Sequence, residues 1–124
     1  EALLWTGRLS KEEMLSFYAD IDVAVCTHRS EGFGIWVLEA LSMGTPVIAF
    51  DAGGVRDSLE GCPAGKLVSG TDAMAVEITS VLTNDALRQQ MSDAGPQWTR
   101  ERFARERMVE DYYNFFNSII ARKG

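Results

Sequence analysis

The segment SEGFGIWVLEALSMGTPVIAF, residues 30–50, contains a glycine-rich turn, an apolar helix pattern and an apolar strand pattern in succession. Gly32 and Gly34 permit backbone conformations that are closed to other residues. The helix predicted over residues 34–43 is followed by a glycine and a proline, which end it. Residues 46–50 are almost continuously apolar, as buried parallel strands are. A turn, a helix and a strand in this order are typical of α/β proteins.

The same alternation of apolar runs and amphipathic segments extends to both sides of this segment. Further strands are predicted at residues 3–6, 22–26 and 66–68, and further helices at residues 10–20, 72–82, 85–93 and 105–121. The first of these helices has a capping box, because Ser10 is followed three residues later by Glu13. Strands that alternate with helices indicate βαβ units. The predicted fold is therefore α/β, with a Rossmann-like, doubly wound parallel sheet.

Composition limits the classes of function. The chain has 124 residues, of which 46% are hydrophobic, and this suits one domain with one core. Its formal net charge of −6 argues against a general nucleic-acid binder, whose binding face is basic. No apolar run approaches the roughly 20 residues that cross a bilayer, and the first residues lack signal-peptide features. Cys26 and Cys62 have no redox or metal spacing, so a reducing compartment, the cytoplasm, is expected.

The last predicted helix carries an apolar stripe. The residues of the stripe recur at helical spacing and are Met108, Tyr112, Phe115 or Phe116, and Ile119. Nearby arginines suit a helix that lies on an anionic membrane, but nearby acidic residues cancel that bias. We therefore expect the stripe to pack in the core, while peripheral attachment of a longer protein to the inner face of a membrane stays open.

The loops that leave the strands are the places to look for a site, because ligands of open α/β sheets lie beyond the carboxyl ends of the strands. These loops are predicted at residues 7–9, 27–34, 51–55 and 69–70. Arg8 lies on the first loop, where it can contact a base or a phosphate, or remain a solvated surface residue. Gly53 and Gly54 can approach a sugar or phosphate closely, although a tight turn also requires glycine.

The turn at the start of the second predicted helix has the features of an anion site. The helix would present the free amides of Ile35, Trp36 and Val37 together with the positive end of its dipole. Glu31 would lie at the mouth of this site and Glu39 about 7 Å deeper. Carboxylates repel phosphate, so these two would accept hydrogen bonds from neutral donors such as vicinal sugar hydroxyls. A ligand with hydroxyls on both sides of a diphosphate is a nucleotide sugar.

Part of this pattern has a second explanation. A glutamate near a helix start is stabilised by the helix dipole without any ligand, and Gly-x-Gly occurs in many loops. Glu39 differs, because its helix is apolar on almost every side and its carboxylate is expected to be largely buried. A buried carboxylate requires a partner.

The run from Gly7 to Gly54 resembles the donor-binding half of the retaining glycosyltransferases with the GT-B fold, the glycosyl transferases group 1 family. The Glu-x7-Glu signature of that family corresponds to Glu31 and Glu39 within EGFGIWVLE. The segments EALSMGTPVIA and AGGV follow it, and weaker similarity continues to about Phe116. The resemblance implies that a sugar is transferred from a UDP- or GDP-sugar to an acceptor with retention of the anomeric configuration.

The resemblance also implies roles for the residues of the motif. In that family the first glutamate and the adjacent backbone contact the transferred sugar, the helix start contacts the diphosphate, and the second glutamate holds the ribose hydroxyls. Carried over, Glu31 is the catalytic residue, and Gly32, Phe33 and Gly34 are sugar contacts. The amides at the helix start are diphosphate contacts, and Glu39 is the ribose contact.

The sequence departs from the family pattern in two respects. Family members carry an arginine and a lysine that neutralise the diphosphate, upstream of the first predicted strand, and an N-terminal domain that binds the acceptor. We therefore interpret residues 1–124 as a donor-binding domain that lacks its first strands and its acceptor domain. Such a chain is expected to bind its donor weakly, without turnover. In addition, Thr27 and His28 replace a proline and a serine that are common in the family.

Two sequence features suggest other chemistry. Asp20-Ile21-Asp22 reads D-x-D, a metal-binding motif of the other large glycosyltransferase fold, but it spans a helix end and a strand start. We interpret it as turn and cap residues and expect no metal or other cofactor. His28, the only histidine, has no Ser or Cys nucleophile arrangement beside it, which favours a structural or ligand-lining role.

Two other classes of protein share features of this sequence with a transferase. A binding module that holds a nucleotide sugar without catalysis would show the same residues and stays open. A receiver-type signalling domain has a similar length and fold, but it requires an acidic cluster around a phosphoacceptor aspartate at the strand ends. The first predicted strand ends Thr6-Gly7-Arg8, which does not provide that cluster.

Overall fold

The fold is that of a small α/β protein, seen in a computed structural model that describes residues 3–123. Three parallel strands form one sheet in the order β1-β2-β3, and they are β1 (Ala24–Cys26), β2 (Val47–Phe50) and β3 (Gly65–Val68). The helices are α1 (Lys11–Asp20), α2 (Ile35–Ser42), α3 (Val55–Leu59), α4 (Thr71–Thr83), α5 (Asp85–Phe103) and α6 (Arg105–Lys123). The predicted fold class is confirmed.

The central strand β2 organises the core. Its four residues are all buried, as a strand covered on both faces requires. Val47 pairs with Ala24 of β1 on one side and with Gly65 of β3 on the other. Helix α2 packs against α1 and α5, whereas α4 packs against β2 and β3. Helix α2, at whose start the candidate site begins, is therefore held by contacts with two other helices.

The capping box of α1 is present as predicted. The Glu13 amide donates to Ser10 Oγ at 3.2 Å, and the Ser10 amide donates to Glu13 Oε2 at 2.7 Å. These two hydrogen bonds satisfy amides that a helix start leaves free. The hydrogen bonds from Ser10 also lower the pKa of the Glu13 carboxyl.

Two predicted elements differ from the structure, and one observed helix was not predicted. The strand predicted at residues 3–6 is wrong: this segment is irregular, and Leu3, Leu4 and Trp5 are exposed. A strand requires a partner for its backbone, and within residues 3–123 β1 pairs only with β2. The short helix α3 was not predicted, and α5 continues ten residues beyond its predicted end at residue 93, through Pro96.

The apolar stripe of α6 is exposed, so its predicted packing in the core is wrong. Between 37% and 58% of the surface of Met108, Tyr112, Phe115, Phe116 and Ile119 is accessible to solvent. Helical spacing predicts an apolar face but does not identify what covers it. Among the helices within residues 3–123, we find none that is both long and apolar enough to span a membrane.

The parallel sheet brings the loops after its strands to one edge. Residues 27–34 follow β1 and lead into α2, and residues 51–54 follow β2 and lead into α3. Because β1 and β2 are adjacent and parallel, these two loops are neighbours. The predicted sugar and phosphate contacts of the first loop and the glycine pair of the second therefore lie side by side.

Candidate functional site

The site begins at the turn formed by residues 32–34, called here the glycine turn. Gly34 is the N-cap of α2 and adopts a left-handed conformation with φ of 73°, which explains the glycine at this position. A Cβ atom at Gly34 would also approach Val55 Cγ2 to 3.3 Å. No side chain caps this helix start within the described residues. The helix end is therefore open to accept another hydrogen-bond partner.

The amides at the start of α2 are not all free. The Val37 amide donates to the Gly34 carbonyl oxygen at 2.9 Å, so the expectation of a free amide at Val37 was wrong. This bond is an i to i−3 turn of the kind that often tightens a helix end. The amides of Ile35 and Trp36 make no such bond within residues 3–123. Two amides, at the positive end of the helix dipole, are thus available to an anion.

Glu31 lies directly before the glycine turn and makes contacts through both its side chain and its backbone. Its Oε1 atom accepts from the Gly32 amide at 3.1 Å, and its Oε2 atom lies 3.3 Å from His28 Nδ1. Its backbone carbonyl oxygen accepts from the Gly54 amide at 3.1 Å. The side chain of Glu31 is 26% exposed, so the carboxylate can still be reached by a ligand.

The loop after β2, residues 51–54 and called here the β2 loop, packs directly on the backbone around Glu31. A Cβ atom built on Gly54 would lie 1.7 Å from the Gly32 carbonyl oxygen, and one built on Gly53 would lie 2.4 Å from the Glu31 carbonyl oxygen. Both glycines therefore permit close contact between two backbones. Their predicted contact with a sugar or phosphate stays a prediction, because this packing already explains why both are glycine.

Two polar contacts fix the β2 loop and the glycine turn. Arg56 Nε donates to Asp51 Oδ1 at 2.8 Å, and its Nη2 atom donates to Asp51 Oδ2, which makes a bidentate ion pair across the β2 loop. The hydrogen bonds that Arg56 donates to Asp51, together with the charge of Asp51, raise the pKa of the Arg56 guanidinium. The fully buried Ser58 donates its hydroxyl hydrogen to the Phe33 carbonyl oxygen at 3.0 Å. These contacts were not predicted, since each depends on the position of α3.

Gly32 differs from the other glycines of the site. Its backbone lies outside the left-handed region, and a Cβ atom at this position would meet no atom within 4 Å. Neither conformation nor packing inside the chain therefore requires glycine at residue 32. The neighbouring Phe33 ring is 43% exposed and makes an edge contact with Phe103, with 5.9 Å between ring centroids. The surface in front of Gly32 is open.

Glu39 lines a cavity between α1 and α2. The cavity has a volume of about 210 Å³ and is lined by Leu9, Ser10, Lys11, Met14, Leu15 and Glu39. Glu39 is half-buried, which corrects the expectation of a largely buried side chain. Its carboxylate makes no hydrogen bond or ion pair within the described residues. Burial and then the charge of Glu39 raise the pKa of the Tyr18 hydroxyl.

The remaining predicted features lie apart from this arrangement. Arg8 is exposed in the irregular segment before α1 and makes no side-chain hydrogen bond or ion pair within residues 3–123, so its binding role stays a prediction. Asp20 ends α1, and Asp22 Oδ1 lies 3.3 Å from Arg88 Nε, as turn and surface roles require. In the described part of the chain, no three His, Cys, Asp or Glu residues cluster in a way that can hold a metal ion.

Trp36 was predicted through its amide, but its indole also lies at a cavity. This cavity of about 250 Å³ is lined by Val25, Cys26, Thr27, His28 and Trp36. The buried Nε1 atom of Trp36 has no hydrogen-bond partner within residues 3–123. Because hydropathy classes this residue only as an apolar member of the helix, its unsatisfied donor could not be predicted from the sequence.

Comparison with known proteins identifies the family. The profile of the family described as "Glycosyl transferases group 1" matches residues 1–98. The chain belongs to this family. It is similar to a D-inositol 3-phosphate glycosyltransferase of Corynebacterium urealyticum, with 32% identity over 110 residues that cover 87% of the chain and 26% of the relative. It is also similar to the sulfoquinovosyl transferase of Arabidopsis thaliana, with 43% identity over 63 residues, 51% of the chain and 12% of the relative.

Two solved structures have a similar fold. A sucrose-phosphate synthase from Thermosynechococcus elongatus superposes with a TM-score of 0.81 and 25% identity, covering 94% of the chain and 30% of that protein. The C-terminal domain of a glycosyl transferase group 1 family protein from Francisella tularensis superposes with a TM-score of 0.70 and 25% identity. The match covers 80% of this chain and 52% of the Francisella chain. The chain spans about a quarter of the length of the first D-inositol 3-phosphate glycosyltransferases it matches.

Proposed function

We propose that this domain binds the nucleotide-sugar donor of a glycosyltransferase that transfers the sugar with retention of its anomeric configuration. The observation that carries the proposal is the Glu39 carboxylate, which is half-buried at a cavity and has no protein partner in the described residues. Because this carboxylate is unpaired and still reached by solvent, it is available to hydrogen-bond donors of a ligand. The vicinal hydroxyls of a ribose supply two donors with the spacing of the two carboxylate oxygens.

The helix start between Glu31 and Glu39 suits the diphosphate of the same ligand. The free amides of Ile35 and Trp36 and the positive helix end favour an anion there. At a rise of about 1.5 Å per residue, the four residues from Ile35 to Glu39 span about 6 Å, which matches the separation of a diphosphate from its ribose. UDP- and GDP-sugars both contain these groups.

The surface on the other side of the helix start suits the sugar. Glu31 retains exposed carboxylate surface beside Gly32, where the absence of a side chain has no explanation within the chain. A sugar ring that approaches the backbone at Gly32 supplies that explanation. We assign Glu31 as the catalytic residue in contact with the sugar, and Phe33 and Gly34 as its further contacts. The contact of Gly53 and Gly54 with the donor is indirect, since they hold the Glu31 backbone.

In this mechanism the chain acts by position and electrostatics. As the bond between the sugar and the diphosphate breaks, negative charge develops on the leaving diphosphate. The amides of Ile35 and Trp36 and the helix dipole stabilise that charge without reorganisation. Glu31 accepts hydrogen bonds from the sugar and orients it for attack by the acceptor hydroxyl. The arginines nearest in sequence to the helix start are engaged elsewhere: Arg29 lies over the Phe50 ring, and Arg56 is paired with Asp51. We therefore propose that this chain alone binds its donor weakly and without turnover.

The proposed acceptor domain is a separate part of a longer protein. The apolar face of α6 is exposed, and its residues Met108 and Tyr112 line a cavity of about 500 Å³ together with Phe33 of the glycine turn. A domain that covers α6 would therefore also lie beside the proposed sugar position. Relatives of this chain are about four times as long, which leaves room for such a domain.

Calorimetric or NMR titration of the chain with UDP, GDP, UDP-glucose, UDP-N-acetylglucosamine and GDP-mannose tests the donor site. Glu39→Ala is expected to weaken binding of the nucleotides by about 1.5–3 kcal/mol, or tenfold and more, because a bidentate contact to the ribose is lost. Glu110→Ala, at an exposed position on α6, is the matched control and should bind like the unchanged chain. Equal affinity of the Glu39→Ala variant and the unchanged chain would contradict the ribose contact.

A further inference from the structure

His28 lies beside the carboxylate to which the proposed function gives the sugar contact. Its Nδ1 atom is 3.3 Å from Glu31 Oε2 and 3.7 Å from Cys26 Sγ. The imidazole is 66% exposed, whereas Cys26 is buried. The next residue, Arg29, is directed elsewhere, with its guanidinium 4.8 Å from the centre of the Phe50 ring. Within the described residues, His28 is thus the one basic side chain within ion-pair distance of the Glu31 carboxylate.

The chemistry of the three groups fixes which nitrogen of His28 carries the proton. An ionised carboxylate only accepts hydrogen bonds, so the nitrogen that faces Glu31 must donate. We therefore expect the proton of the neutral ring on Nδ1, which faces Glu31 Oε2, while the contact of Nδ1 with the Cys26 sulfur is compatible with either tautomer. The opposite nitrogen, Nε2, faces away from both groups. This is the arrangement in which one hydrogen bond sets the tautomer of a histidine.

The two oxygens of Glu31 then face different groups. The Gly32 amide donates a hydrogen bond to Oε1 at 3.1 Å, and the ring of His28 makes an ion-pair contact with Oε2, with 3.3 Å between Nδ1 and that oxygen. Without His28, the carboxylate would rotate about its last side-chain bond, because one hydrogen bond permits that rotation. An amide donor such as asparagine can take over the bond from Nδ1, but a methyl group cannot.

We propose that His28 is a positioning residue that holds the Glu31 carboxylate in the orientation that accepts hydrogen bonds from the donor sugar. The proposal rests on the sugar contact of Glu31 in the proposed function. His28 acts on the sugar alone, because Glu31 lies before the glycine turn, whereas the proposed ribose contact, Glu39, lies a full turn into α2. Loss of His28 should therefore leave nucleotide binding unchanged and reduce the additional affinity that the sugar provides.

A titration that compares each nucleotide with its nucleotide sugar tests this separation. The measured quantity is the ratio of the dissociation constants of UDP and UDP-glucose, UDP and UDP-N-acetylglucosamine, and GDP and GDP-mannose. For the nucleotide sugar that the chain binds most tightly, His28→Ala should lower the ratio of the nucleotide constant to the nucleotide-sugar constant about threefold to tenfold. The dissociation constant of the nucleotide alone should stay unchanged. His28→Asn should restore most of the ratio. Ser30→Ala, an exposed residue of the same loop, is the matched control and should keep the ratio.

The outcomes distinguish this proposal from the proposed function. An unchanged ratio in His28→Ala, or an equal loss of nucleotide and nucleotide-sugar affinity, would overturn the positioning role while the donor site stands. If the unchanged chain binds none of the nucleotides, the proposed function fails. A spectroscopic measurement then still decides whether His28 donates to Glu31. Thermal unfolding of every variant shows whether the fold is retained.

The single histidine makes that spectroscopic measurement direct, since its ring gives one set of signals. Long-range ¹⁵N–¹H correlation spectra at alkaline pH should show the neutral ring protonated on Nδ1. In Glu31→Ala the acceptor is absent, so the proton should move toward Nε2. A neutral ring protonated on Nε2 in the unchanged chain would overturn the proposal, because His28 could not then donate to Glu31.

Discussion

Substituting alanine at either of two glycines of the candidate site should have opposite effects on stability. Gly54 contacts the backbone around Glu31, whereas Gly32 faces open space. Gly54 has φ of −73°, which alanine adopts without strain, so any cost of Gly54→Ala comes from contact alone. Gly32 also lies outside the left-handed region. The two substitutions add the same methyl group to neighbouring loops and form a matched pair.

The geometry gives the size of the effect. A Cβ atom at Gly54 would be 1.7 Å from the Gly32 carbonyl oxygen, so the two loops must separate by about 1.3 Å to reach even a tight contact of 3.0 Å. Such overpacking costs about 1–3 kcal/mol. The hydrogen bond from the Gly54 amide to the Glu31 carbonyl oxygen is lost as well, at a net cost of about 0.5–1.5 kcal/mol. Gly54→Ala should therefore destabilise the chain by about 1.5–4.5 kcal/mol.

Gly32→Ala should be neutral or stabilising by up to about 1 kcal/mol, because alanine restricts the unfolded chain and clashes with nothing in the folded one. Urea unfolding followed by circular dichroism measures both free energies of unfolding. The proposed donor site adds a second readout: Gly32→Ala should weaken binding of a nucleotide sugar more than binding of its nucleotide. Equal stability of Gly54→Ala and the unchanged chain, or a loss above 2 kcal/mol in Gly32→Ala, would refute the reasoning from these contacts.

Three further predictions concern stability and reactivity. Ser58→Ala should lower the free energy of unfolding by about 1–3 kcal/mol, because it leaves the Phe33 carbonyl oxygen without its buried donor; a loss below 0.5 kcal/mol in urea unfolding would contradict this. The lowered pKa of Glu13 stabilises the fold fully above the ordinary value of 4.5, and this contribution should be lost as the pH falls below 4.5 and through the lowered pKa, so Glu13→Gln should show a flatter acid unfolding profile. Burial raises the pKa of the Cys62 thiol above 9.0, so stability should fall as the pH rises beyond that value, and less so in Cys62→Ala; the same slope in both proteins would argue against a buried neutral thiol.

The sequence predicted the elements that are encoded locally. The capping box of α1, the glycine turn before α2 and the buried strand β2 each depend on residues a few positions apart, and all three are present. The strand at residues 3–6 failed for the opposite reason. Its apolar residues favour a strand, but strand formation also requires a hydrogen-bonding partner, and the described residues provide none for it.

Only part of the candidate site could be predicted from the sequence, because only part of it is formed by residues close together in the chain. The glycine turn and its two glutamates are close in sequence, so their relation to one helix start could be read from spacing. The hydrogen bond from Ser58 to Phe33 and the contact of Gly54 with Gly32 join positions more than 20 residues apart. Spacing within one element says nothing about such contacts. The free amide predicted for Val37 failed because the first turn of α2 is tighter than a regular α-helix.

The close packing of the β2 loop on the backbone around Glu31 has a consequence for how donor preference can change. Because Gly53 and Gly54 leave no space between the two loops, neither loop can be lengthened or exchanged for that of a relative without displacing the other. Engineering a different sugar preference should therefore succeed when both loops are transplanted together from one source, and grafts of either loop alone should fold poorly.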